Sequence, residues 1–283
     1  MIFLQIILLI IEKIQKDDHR IKIINNLKNK GTLYSRCIGV LVSKGNYIFN
    51  LDNDDLYFCE DLFDNVYNIA SNEALDIINF MAINIYNYAI RISHMKNLFS
   101  VIYPNEFYLK QPDLGKWMIK HNGKYVVHHN MIWDKCINSS IYKKAIYLMG
   151  FKKYSQYVSW AEDTSINYII FKISKSFKYI KKYGIVHFKG KNTASNRQSI
   201  DSKIFGEIFF LDILFHFSNN NNEEKNLIIG QIFYIYKRYK YFKFNNDINS
   251  NLLKHILNKI INCRFLNKIN RRKIQKIFCS FFI

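Results

Sequence analysis

The sequence predicts an α/β fold with a helical C-terminal appendage, on three observations. Helical and strand-like patterns alternate over residues 1–200. A short apolar strand, Tyr47–Leu51, stops abruptly at Asp52, Asp54 and Asp55, and ligands of α/β sheets gather at the carboxyl ends of strands. Beyond residue 200 the patterns are helical only, and rich in Lys, Tyr and Phe. A chain of 283 residues, 49% of them hydrophobic, can bury a sizeable core. The expected division is residues 1–200 for the α/β part and 201–283 for the helical part.

Taken in order, Met1–Lys16 reads as a helix and Arg20–Asn25 as a short strand. Thr32–Lys44 reads as a helix because Leu33, Cys37, Val40 and Leu41 recur at three- and four-residue spacing. Gly45 follows, where a C-terminal cap favours a residue that tolerates positive φ. Cys59–Asn68 is the next helix, with Glu60 and Asp61 in its first turn, favourable for the helix dipole. Asp76–Tyr88 is an apolar run that suits a buried strand but is not decided by periodicity. Arg91–Tyr125 has weak periodicity and both prolines, Pro104 and Pro112. Ser139 or Ser140 would cap a helix from Ile141 to Met149, which Gly150 would end. A helix from about Asp163 to Ser176 follows, with Ile166, Ile169, Ile170 and Ile173 on its apolar side, and then one or two strands over Phe177–Phe188. Ile204–Phe217, Asn226–Tyr241 and Asn249–Phe282 are helical patterns, separated in part by the polar loop Asn219–Asn222.

The formal net charge is +19, which invites nucleic acid or anionic membrane as a partner. Lys far outnumbers Arg, Asn and Ile are abundant, and Gly (10) and Pro (2) are scarce. An A+T-rich coding sequence produces that composition, so most of the Lys excess is read as solvated surface. There is no arginine-rich tract, and nucleic acid is not favoured. The five cysteines are scattered without a C-x-x-C pair, which argues against a zinc ribbon or a disulfide framework. They read as packed free thiols in a reducing compartment. Met1–Ile11 is apolar but shorter than the roughly 20 residues that span a bilayer, and no positive region precedes it. The expected location is the cytoplasm or, peripherally, the cytosolic side of a membrane; the C-terminal helices would cover the main domain or lie on an anionic membrane surface with the basic side outward.

Asp52 and Asp54 are two apart, so on an extended backbone they point to one side. Two adjacent carboxylates repel unless a cation lies between them, and hard oxygen ligands suit Mg²⁺ or Mn²⁺. His128 and His129 are neighbours and point to different faces of a helix or strand, so surface or packing roles are expected of them. Glu162-Asp163 alone would be an ordinary acidic helix start, and His187 a half-buried strand histidine.

The ordered string Gly31, Arg36, Lys44-Gly45, Tyr47–Leu51 and Asp52-Asn53-Asp54-Asp55 resembles family 2 glycosyltransferases of the GT-A fold. Asp18, Arg20, Ile21 and Asn29 upstream fit the same pattern, as do Trp133-x-Lys135, Ile141–Ala145 and the Glu162-Asp163 pair downstream. Cys37 departs from it, since Asn often follows the family's arginine. The resemblance ends near Arg197 and covers about 70% of the chain. It implies a GT-A-like (Rossmann-like) mixed sheet flanked by helices, and it makes Asp76–Tyr88 a strand. It also implies a strand–helix–strand nucleotide-binding unit ahead of Met1–Lys16, which this sequence lacks, so weak donor binding is expected.

The resemblance implies transfer of a sugar from a nucleotide-diphosphate donor to a hydroxyl on a glycan, lipid or protein, by a single inverting displacement. Asp163 takes the role of general base. Asp52 and Asp54 become ligands of Mn²⁺ or Mg²⁺. Arg36, Asp52, Trp160, Glu162 and His187 become substrate-binding candidates, with Lys189, Lys191 and Arg197 placed to meet phosphate. Asp52 and Asp54 are expected at the end of a central strand, with Asp163 facing the same cleft. Two other readings are a glycosyltransferase-like protein without turnover and a lysine-rich module for RNA or anionic membrane.

Overall fold

The computed structural model describes residues 11–86, 105–121, 124–125, 131–151, 158–189, 198–219, 221–239, 247–262, 272 and 274–276. Residues 11–17 are helical. Arg20–Asn25 is not a strand. Ile21 and Ile23 are half-buried between exposed Lys22 and Ile24, so the alternation of a strand is present, but no described strand pairs with it.

Helix α1 (Gly31–Val42) buries Leu33, Cys37 and Val40, the stripe that its spacing predicts. Asn29 Oδ1 accepts from the Gly31 N–H at 2.9 Å, and Gly31 adopts a φ of 81° that a Cβ would oppose. The helix ends at Ser43, which turns to extended backbone and bonds Val40 O through its hydroxyl at 2.7 Å. The expected cap at Gly45 is therefore not used. Strands β1 (Tyr47–Phe49) and β2 (Leu56–Tyr57) flank the acidic turn. Helix α2 (Leu62–Asn72) starts later than Cys59, and its first turn carries Asp64 rather than Glu60 and Asp61.

Strand β3 (Ile77–Tyr86) settles the ambiguous apolar run as a strand. Strand β4 (Phe107–Lys110), helix α3 (Asp113–Ile119) and a small hairpin of β5 (Lys120–His121) and β6 (Lys124–Tyr125) lie in the weakly patterned stretch. His128 and His129 lie outside the described residues. Strand β7 (Lys135–Asn138) leads into helix α4 (Ser139–Met149). The cap of α4 is Asn138, whose side chain accepts from the Ser140 and Ile141 N–H groups, not Ser139 or Ser140. Gly150 ends the helix in the left-handed conformation, as expected. Helix α5 (Glu162–Ile173) and strand β8 (Ser176–Lys189) complete the α/β part, and α6 (Ile200–Phe217), α7 (Asn222–Tyr239) and α8 (Asp247–Asn262) follow.

The six-stranded mixed sheet runs β1-β7-β3-β8-β2, with β4 also on β8. β3 and β8 are parallel, and the other pairs are antiparallel. Both faces are covered. Ile77 and Met81 of β3 join a cluster with α1, α4, α5 and the C-terminal helices, while Ile78, Phe80 and Ala82 pack on α2. That split follows the two-residue period of a strand. β1 is at the edge of the described sheet, with β7 between it and β3, which corrects the expected central position. Helix α5 is buried over the whole run Ser165–Phe171, with Ser165 and Asn167 included, and not only on the side that carries its isoleucines. No helix among the described residues is long and apolar enough to cross a membrane. Cys37, Cys59 and Cys136 are free thiols.

Candidate active site

The acidic turn and the start of α5 meet at one guanidinium. Arg36 projects from α1, one turn after the helix begins, on a side chain that is 8% exposed. Its Nη2 donates to Asp52 Oδ1 at 2.9 Å. Its Nη1 donates to Glu162 Oε1 at 3.4 Å and also to Asp163 Oδ1. A planar fork with fixed donors suits this task better than an ammonium would. Burial works against the charge on Arg36, but Asp163, Glu162, Tyr142 and Asp52 more than restore it and hold the guanidinium charged.

One cation against three carboxylates leaves the site electronegative. Burial pushes the Asp163 carboxyl up, Arg36 pulls it back, and Glu162 and Asp52 add to the rise, which brings it to about 7. Glu162 is raised by burial first, against the pull of Arg36. A carboxylate poised near neutrality suits proton abstraction.

The other acids of the turn differ in surroundings. Asp55 is buried, and its carboxylate pairs with His187 Nδ1 at 2.9 and 3.0 Å and accepts from the Phe188 N–H at 3.0 Å. The His187 ring stacks on Trp133, with centroids 4.7 Å apart and planes 21° apart. Asp54 is exposed, and burial, then Asp55 and Asp52, raises its carboxyl above the ordinary range. Just before the turn, Asn50 Oδ1 accepts from the buried Tyr142 hydroxyl at 3.2 Å, and Asn50 O accepts from Tyr57 at 3.2 Å. Under the site, the buried Lys135 donates to Asp134 at 2.6 Å and to Met131 O.

Arg36, Asp52, Glu162 and Asp163 are thus brought together. His187 is tied to Asp55 on the other side of the turn. Trp160 sends its indole N–H away, to Glu207 of α6 at 2.7 Å. Lys191 and Arg197 lie outside the described residues, as does the side chain of Lys189. Sequence reasoning missed Asn50, Tyr142 and Glu207. Only the polar character of Asn50 and Glu207 within apolar runs marked them.

A family model described as Glycosyl transferase family 2 matches residues 7–134. The match falls on the α/β part of the chain, whose mixed sheet and flanking helices are GT-A-like. No curated protein matches this sequence significantly. Among solved structures, this chain is similar to S. aureus TarS 1-349 in complex with UDP-GlcNAc, with a TM-score of 0.55 and 10% identity, over 96% of this chain and 75% of that one. A crystal structure of S. aureus TarS gives a TM-score of 0.56 at 10% identity, over 96% of this chain and 45% of that one. At that identity the likeness is one of fold.

Proposed function

We propose that this chain is a glycosyltransferase that takes its sugar from a nucleotide-sugar donor and uses Asp163 as general base in an inverting transfer to a hydroxyl acceptor, with a divalent cation, Mg²⁺ or Mn²⁺, on Asp52 and Asp54. The observation that carries the reading is the Arg36 fork of α1, which joins Asp52 of the acidic turn to Glu162 and Asp163 of α5. Asp163 would take the acceptor proton as the acceptor oxygen attacks the sugar carbon, and the nucleoside diphosphate would leave from the opposite side. Arg36 orients the carboxylate of Asp163 and balances part of its charge. Glu162, beside it, supports the elevated proton affinity.

Among the described residues no group of three His, Cys, Asp or Glu is placed to hold a metal by itself. A hard cation that serves phosphate chemistry takes one or two carboxylates and completes its shell with phosphate oxygens and water, so the donor set fits. Arg36 takes Asp52 Oδ1 and leaves Oδ2, and Asp54 is exposed beside it. Such a cation, when bound, neutralises charge growing on the leaving diphosphate. His187, held by Asp55, faces the same turn as a donor-binding candidate. Glycan, lipid and protein hydroxyls remain as acceptor classes, and the basic exterior is suited to peripheral contact with an anionic membrane.

A panel of nucleotide sugars scored by thermal shift, with and without Mn²⁺ or Mg²⁺, tests the reading, because a bound donor raises apparent stability. Asp54→Ala is expected to lose the metal-dependent shift. Asp163→Asn is expected to keep the shift and lose transfer. Equal donor affinity in wild type and Asp54→Ala would remove the metal assignment, and transfer by Asp163→Asn would remove the base.

A further inference from the structure

The segment that delivers Glu162 and Asp163 is held from two sides. Toward α1, the Leu33 N–H donates to Val158 O at 3.0 Å and the Thr32 N–H to Ser159 Oγ at 3.2 Å. Toward the C-terminal helices, Gln198 donates to Ser159 O, and Trp160 Nε1 donates to Glu207 Oε1 at 2.7 Å. The second oxygen of Glu207 accepts from Gln231 Nε2 of α7 at 2.7 Å. Glu207 is 6% exposed. A carboxylate buried between two neutral donors is a poor device for stability alone, since its desolvation is costly and apolar replacements of such groups are often neutral.

The backbone carries a second, independent sign. A Cβ at Gly206 would lie 2.1 Å from Trp160 O, so α6 and the turn approach as closely as only glycine permits. The next residue, Ala161, has a φ of 56°, a conformation that non-glycine residues hold at a cost and only when their surroundings enforce it. Immediately after it come Glu162 and Asp163, reaching Arg36. Lys203 and Arg238 lie over the Trp160 ring at 5.0 and 5.7 Å, so α6 and α7 both hold that side chain.

We propose that Glu207 is a positioning residue for sugar transfer: by fixing Trp160, it holds the turn from which Asp163 meets the acceptor proton. The inference rests on the reading of Asp163 as base. It gives the C-terminal helices, which lie outside the family match, a part in the reaction.

The test uses the full chain with the nucleotide sugar that the donor panel selects, and follows release of nucleoside diphosphate. Glu207→Gln keeps the size of the side chain but turns an N–H₂ toward one of the two donors. Trp160→Phe keeps a ring and removes the N–H. Each is expected to lower kcat about tenfold with the KM for donor unchanged, and the double variant is expected to be no slower than the slower single one. Amide exchange at residues 161–165 is expected to rise in both, while β3 stays protected. If Glu207→Gln does not fold, Trp160→Phe carries the same kcat and exchange outcome. Unchanged kcat and exchange in a folded variant would overturn the positioning role even if Asp163→Asn abolishes transfer. Transfer by Asp163→Asn would instead overturn the base and, with it, this inference. Additive losses in the double variant would mean that the two residues act separately, which also overturns it.

Discussion

At the scale of single residues, Arg36 decides how the site behaves. It is the one cation bonded to Asp52, Glu162 and Asp163 among the described residues. Arg36→Met is expected to destabilise the fold by about 3 kcal/mol, because removing one partner leaves buried charge uncompensated, and chemical denaturation measures it. The proton on Asp163 gives a second outcome, whose sign follows from linkage. The folded chain holds this carboxyl at about 7, well above the ordinary carboxylate value of 3.8. Between those two values the folded state binds more protons than the unfolded one, so stability falls as pH rises through the window. With Asp163 as the proposed base, transfer is expected to move the other way, rising through about pH 7 as that carboxyl loses its proton. Melting temperature and rate, followed across the same buffers, are expected to show opposite slopes, and Asp163→Asn is expected to flatten the first.

At the scale of elements, local pattern and distant pairing separate. α1 and the cap at Gly150 were legible because their information is local: an apolar stripe and one glycine. β3 was not decided by its run of apolar residues, and the family pattern supplied the choice. Arg20–Asn25 has the alternation of a strand, yet a strand also needs a neighbour, which no spacing reports. The acids of the site could be placed near each other only through the family pattern. Their junction at Arg36, and the pairs Tyr142–Asn50 and Trp160–Glu207, join residues 92 and 47 apart in sequence and leave no periodic trace. Asn138 shows the same limit at short range. Three polar residues in a row could each cap α4, and backbone geometry selects the first. Asn138→Ala is therefore expected to cost about 1 kcal/mol in denaturant unfolding, the usual loss for an N-cap.

At the scale of the whole molecule, one apolar cluster runs from Leu33 of α1 through α4 and α5 to Ile256 of α8 and Ile274. The expected boundary at residue 200 falls at the start of α6, and packing crosses it, since Ile204, Ile208 and Leu211 belong to that cluster. α5 lies in the midst of it with Ser165–Phe171 buried, and Glu162 and Asp163 form its first turn. The proposed base, Asp163, is thus mounted on a post sunk into the interior rather than on a surface loop. Protein regions that open early on warming are those with few buried apolar contacts, and α5 is the opposite case. Heating should consequently leave the proposed catalytic constellation intact until the interior itself gives way. Thermal inactivation, assayed after brief exposure at each temperature, and loss of near-UV ellipticity are expected to trace one curve. Inactivation several degrees ahead of the spectroscopic transition would mean that the failing part is not this helix.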